Sequence, residues 1–215
     1  MEVVIRFPDN YDSTKQYPTL LHLHGAGFRY SSREKLERSA FFTNTAEHVN
    51  DLGIITVSPI CSEDTWFNLM GELHELLRTL SELPYVDNDR IYIMGCSMGG
   101  YGTWILAMCY PEYFAAMVPI CGGGMSWNIA RYKNIPIWAH HGALDDVVPL
   151  NESEKMVEAA KKAGCDVRFT VYPDILHASW IPVYRSREVF EWLLSKKRSS
   201  TETKALQYDD GVKYG

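Results

Sequence analysis

The chain is 215 residues long, enough to bury a sizeable core within one domain. Its apolar share of 46% and charged share of 22% are those of an ordinary soluble globular protein. The formal charge of −6 argues against nucleic acid as a partner, because phosphate binding wants a basic face.

Taken in order, apolar runs alternate with helical patterns. Residues 3–7 (VVIRF) read as a strand, and 18–25 (PTLLHLHG) as a strand ending at a glycine. Residues 32–51 are helical in pattern, with a break expected inside them. The β-branched run 53–59 is a strand closed by proline, and 68–83 carries apolar residues at helical spacing. A strand at 90–95 runs into Gly-Cys-Ser-Met-Gly-Gly, and the helix at 99–111 stops at Pro111. Three more strands are read at 115–123, 135–142 and 166–173. Between the last two, 151–164 opens on the capping residue Asn151 and ends on Gly164. The final helix is placed at 186–198. Its end, Lys196-Lys197-Arg198, is the one basic cluster and is read as a solvated helix terminus.

Near-continuous apolar strands alternating with helices predict an α/β fold, a mostly parallel sheet with helices on both faces. Residues 1–198 are expected to form one domain and 199–215 a polar tail. The five cysteines show no metal-like or redox-motif spacing and suit a reducing compartment. The N-terminus does not resemble a signal peptide, and no apolar run approaches a membrane span, so a cytoplasmic protein without a membrane partner is expected.

In a parallel sheet, functional groups gather beyond the carboxyl ends of the strands. The strand at 90–95 delivers Ser97 within G-x-S-x-G, the sharp strand-to-helix turn of a nucleophile elbow. Gly95 and Gly99 let strand and helix pass closely, which pushes Ser97 into the open and leaves the Met98 N–H free for an oxyanion. The strand at 135–142 leads into HHGALDDVVP, and that at 166–173 into DILHASW. Ser97, an aspartate at 145 or 146, and His177 therefore follow in the chain order of a Ser-Asp-His triad, each just past a different strand. The chemistry needs this set. A serine hydroxyl is a weak nucleophile until a base takes its proton, and the base needs an acid to fix its tautomer. A second oxyanion N–H is expected in HLHGAGFRY, at Ala26 first and Gly27 second.

Together HLHGAG, DRIYIMGCSMGGYGTW, HHGALDDVVP and LHASW resemble the α/β-hydrolase carboxylesterases related to polyhydroxybutyrate depolymerases, feruloyl and acetyl-xylan esterases, and dienelactone hydrolases. The resemblance spans roughly residues 18 to 195. It implies an α/β-hydrolase fold trimmed at its N-terminal edge, with no cofactor and no metal. It makes Asp145 the triad acid, with Asp146 as the fallback. The short segment after the 115–123 strand implies an open site without a large lid. It also implies a serine hydrolase acting on small to medium carboxylic esters, with acyl or feruloyl groups on plant-wall carbohydrate among them. A serine peptidase of the prolyl-oligopeptidase type and an acyltransferase are the alternatives. In dienelactone hydrolases the nucleophile is a cysteine at the position Ser97 holds here, so Cys96 is read as a packing residue.

The remaining histidines get structural readings. His22 and His24 are core hydrogen-bonders, His140 and His141 brace the turn carrying the acid, and His48 and His74 lie on helices. Neighbours on a strand point to opposite faces, so His140 and His141 are not expected to share a metal. Trp66 and Trp180 are candidates to floor a substrate pocket, with core cover as the competing reading.

Overall fold

The computed structural model describes residues 1–132 and 134–198; the tail expected at 199–215 lies outside them. Seven strands form one sheet: β1 (Val3–Arg6), β2 (Tyr17–Leu23), β3 (Ile55–Pro59), β4 (Val86–Cys96), β5 (Ala116–Ile120), β6 (Ile137–Gly142) and β7 (Val167–Tyr172). Their order is β1-β3-β2-β4-β5-β6-β7. Only β1 runs antiparallel, against β3; every other pairing is parallel. The chain thus starts at one edge, reverses direction between β3 and β4 across β2, and marches to the other edge. This is the mostly parallel sheet that the alternation of apolar runs predicts, in the α/β-hydrolase-like arrangement that the resemblance implies.

Side-chain alternation along the strands builds two cores. Leu21, Leu23, Ile91, Ile93 and Ala139 face α3 (Met70–Glu82), α4 (Met98–Cys109) and α5 (Asn151–Lys162). Leu20, Tyr92, Met94, Val118 and Trp138 face α1 (Arg33–Glu37), α2 (Ala40–Leu52), α6 (Trp180–Arg185) and α7 (Arg187–Leu194). Burying both sheet faces explains why the central strands read as unbroken apolar runs. Buried apolar area at about 25 cal/mol per Å² is the main force holding these layers.

The helical stretch 32–51 carries the expected break, at Arg38-Ser39, giving α1 and α2. Local boundaries depart from the sequence reading in three other places. α5 is not capped by Asn151. A tight turn precedes it, so the Glu152 N–H goes to the Pro149 carbonyl and Ser153 and Glu154 N–H groups to that of Leu150, with Asn151 already inside the helix. α6 was not foreseen, although Pro182 falls in its first turn, where a missing N–H costs nothing. α7 ends at Leu194, so the basic cluster lies beyond the helix. It is tied down there by Lys196–Asp166 at 2.8 Å and Arg198–Asp89 at 3.4 Å.

Candidate active site

The elbow forms because β4 must turn into α4 within one residue. Ser97 takes that turn with φ 56 and ψ −121, a strained conformation for a residue with a side chain. The surrounding glycines make it possible. A Cβ on Gly99 would overlap the Leu23 carbonyl of β2, and one on Gly95 would overlap the Gly99 carbonyl. The Ser97 N–H donates to the Ile120 carbonyl at 2.9 Å, pinning the elbow to β5.

Three strand ends then converge. The Ser97 Oγ lies 2.9 Å from His177 Nε2. His177 Nδ1 lies 2.8 Å and 3.0 Å from the two carboxylate oxygens of Asp145. Asp145, not Asp146, makes this contact; Asp146 is exposed. The Asp145 carboxylate is shut off from solvent. Burial pushes its pKa up, but the His177 hydrogen bond and the N–H groups of Val148 and Val147 outweigh burial and hold it below its ordinary value. Asp145 therefore stays ionised, and an acceptor at Nδ1 leaves the proton there and the lone pair at Nε2, facing Ser97.

Around the serine, Met98 and Ala26 are the first residues of α4 and of a short 3-10 turn, Ala26–Phe28, so their N–H groups have no acceptor within those elements. The loop bearing Ala26 abuts the elbow: a Cβ on Gly25 would sit 3.6 Å from that of Ser97. Gly27 lines the same cleft. A cavity of about 320 Å³ opens beside Ser97 and His177, walled by Phe28, Phe41, Val147 and Trp180. Trp180 meets the His177 ring edge to face, centroids 5.2 Å apart.

Trp66 does not reach this cavity. It is fully buried, and its indole N–H donates to the His24 carbonyl at 2.9 Å, so it supports the Ala26 loop from beneath. His24 accepts from the Cys61 N–H and is held next to its own loop at Gly25. Burial depresses its pKa to about 4, keeping it neutral. The histidine pair on β6 splits. His141 Nε2 faces the Val148 carbonyl at 2.9 Å and an Asp145 oxygen at 3.3 Å, so it braces the acid turn. His140 does not. It points to the opposite face, 3.1 Å from the Tyr172 hydroxyl, as strand alternation requires. His48 contacts the Arg185 carbonyl at 3.0 Å and His74 stacks on Tyr110, as structural residues.

Cys96 is buried and also lines the cavity; burial lifts its thiol to about 11, so it is not a thiolate. Cys121, just past β5, also borders the triad. Its sulfur, the Asp145 carboxylate and His177 form a group of potential metal ligands whose donor atoms lie within 4.8 Å. The fit is poor: burial pushes the Cys121 thiol far up, and His177 and Asp145 already bond each other. The only sequence signal for Cys121 was its place just past β5, the strand next to the elbow.

A family model for dienelactone hydrolases matches residues 56–190, from β3 through the His177 loop into α7. The chain belongs to the dienelactone hydrolase family. This member of that family is similar to a solved thermostable esterase, with a TM-score of 0.82 and 33% identity over 91% of this chain and 59% of that one. It is 22% identical to a protein described as probable feruloyl esterase C from Aspergillus oryzae, covering 81% of this chain and 66% of that protein. It is also 23% identical to dipeptidyl-peptidase 5 of Porphyromonas gingivalis, but spans only 34% of that protein against 86% of itself. The chain thus corresponds to part of a longer protein in the peptidase comparison.

Proposed function

We propose that this dienelactone hydrolase family member is a serine carboxylesterase, with Ser97 as nucleophile, His177 as general base and acid, and Asp145 as the orienting acid. The observation that carries this reading is the continuous chain of contacts Ser97 Oγ–His177 Nε2–Asp145, at 2.9 Å and 2.8 Å, on a strained elbow. In this reading the Ser97 oxygen attacks the ester carbonyl carbon as His177 Nε2 takes its proton. The Met98 and Ala26 N–H groups hold the oxyanion of the tetrahedral intermediate. Collapse breaks the bond to the alcohol oxygen, which leaves with the proton from His177. Water, deprotonated by the same nitrogen, then releases the acid and restores Ser97. No cofactor enters any step.

The apolar cavity of about 320 Å³ suits a small to medium arm of the ester. Feruloyl or other acyl groups on plant-wall carbohydrate fit the likeness to the Aspergillus protein. The dipeptidyl-peptidase likeness favours a second reading, amide hydrolysis, which uses the same residues. Wild type and Ser97→Ala are compared on p-nitrophenyl esters from acetate to octanoate and on aminoacyl anilides. Ester turnover that falls on the order of 10³-fold or more in the variant is expected. Anilide turnover exceeding ester turnover in kcat/KM would replace the esterase with the peptidase.

A further inference from the structure

Part of the cavity lining is not used by the ester chemistry. Ser39 stands at the N-cap of α2 with extended backbone, φ −66 and ψ 162. A serine there ordinarily turns its hydroxyl onto the N–H of the second or third helical residue. Ser39 makes no such bond. Its Oγ has no hydrogen-bond partner, although the residue is only 5% exposed. The N–H groups of Ala40, Phe41 and Phe42 open a 13-residue helix and have no acceptor inside it. Ser39, Ala40 and Phe41 line the cavity that Ser97 and His177 also line.

The other polar side chains at this wall are already engaged. His22 contacts the Ser58 and Tyr184 hydroxyls at 3.0 Å and 2.9 Å, and both nitrogens of His24 face backbone partners. An apolar group pressed against Ser39 would leave its hydroxyl and the helix N–H groups unanswered. A carboxylate would suit the helix terminus, yet among the described residues no lysine or arginine lines the cavity to offset its burial. A neutral hydroxyl answers both needs: its oxygen accepts from a helix N–H, and its proton goes to Ser39 Oγ.

We propose that the part of the cavity lined by Ser39 is a subsite for a neutral hydroxyl carried on one arm of the substrate. The proposal deepens the ester-hydrolase reading and rests on it for the identity of that arm as part of an ester. Ser39 is a specificity-determining residue that lies outside the triad. Esters with a terminal hydroxyl are preferred over those with a methyl of similar size, because a site built for a hydroxyl rejects the analogue that lacks it.

Two matched pairs test this. Methyl 3-(4-hydroxyphenyl)propanoate against methyl 3-(4-methylphenyl)propanoate places the group on the acyl arm. The 2-(4-hydroxyphenyl)ethyl and 2-(4-methylphenyl)ethyl acetates place it on the alcohol arm. The kcat/KM ratio within each pair is measured for wild type and Ser39→Ala. Calorimetric Kd values for the same esters are measured on Ser97→Ala, with and without Ser39→Ala. A preference of about tenfold for the hydroxyl member of one pair is expected, collapsing toward unity in Ser39→Ala, and the responding pair tells which arm enters the cavity. A ratio near one in both pairs, or a preference that survives Ser39→Ala, overturns the subsite. Turnover without hydroxyl preference removes the subsite and keeps the ester reading. Tighter binding of the hydroxyl member, lost with Ser39→Ala but without turnover in wild type, keeps the subsite and removes the ester reading.

Discussion

Asp145 is held by more than its histidine. Its Oδ1 accepts from both the Val147 and Val148 N–H groups, at 3.0 Å and 2.8 Å, and His141 Nε2 lies 3.3 Å from Oδ2. His141 is fixed in turn by the Ser153 hydroxyl at 2.7 Å, which also reaches the Gly122 carbonyl. His141 is fully buried and does not line the cavity, so it acts by positioning the acid. Substituting His141→Leu should lower kcat about 10- to 100-fold with little change in KM, because a small displacement of the acid misaligns His177. A fall confined to KM would contradict that role. At this scale the sequence was partly legible. The choice of Asp145 over Asp146 rested on resemblance, and it agrees with which carboxylate meets His177. Strand alternation sends His140 and His141 to opposite faces, so only one of them can brace the acid turn. Trp66 could not be placed, because an indole past a strand end can face the cleft or the core, and only its bond to the His24 carbonyl separates the two.

The elbow is the element on which the site depends. β4, Ser97 and α4 are legible because their sequence is over-determined: an apolar strand, glycines at close approaches, then helix. A Cβ at Gly99 meets backbone of β2, which cannot swing aside as a side chain could. Gly99→Ala should therefore destabilise the fold by about 3 kcal/mol or more and lower activity in whatever folds, as read by urea denaturation. Unchanged stability would show that strand and helix are not packed this closely. The elements that were misread are those without internal signals. α6 is six residues long and carries a proline, and it forms because Val183 and Tyr184 are buried against the sheet. Asn151 has the chemistry of a cap, but the preceding turn supplies carbonyls at Pro149 and Leu150 and moves the helix start past it. Tertiary context won over local propensity in both cases.

For the whole molecule, the parallel sheet buries its histidines as well as its apolar residues. His22, His24 and His140 are 1–2% exposed, and burial lowers all three pKa values, to about 4 for His24 and about 3 for His140. The unfolded chain binds these protons near pH 6.5, while the folded chain resists them. Their contribution to stability is complete above about pH 6.5 and is lost progressively as pH falls toward the folded values. Asp145, also lowered, adds the same sign in the carboxylate range. Stability should thus decline on acidification from about pH 6.5 downward, by as much as ~1.4 kcal/mol per pH unit for each proton taken up. Urea midpoints from pH 7.5 to pH 4 check this; a flat profile would mean that these rings are solvated. The sheet order was not legible beyond its class, since strand adjacency depends on which crossovers pack and not on any single run. Among the described residues no helix is long and apolar enough to cross a membrane.

The account rests on Ser97 being an activated nucleophile. Its most direct test is reaction of the folded protein with a fluorophosphonate, followed by peptide mass spectrometry. The account predicts one phosphonyl adduct on Ser97 in wild type, and strongly slowed labelling when His177→Ala removes the base. No adduct, or an adduct on another residue with Ser97 unmodified, would contradict it.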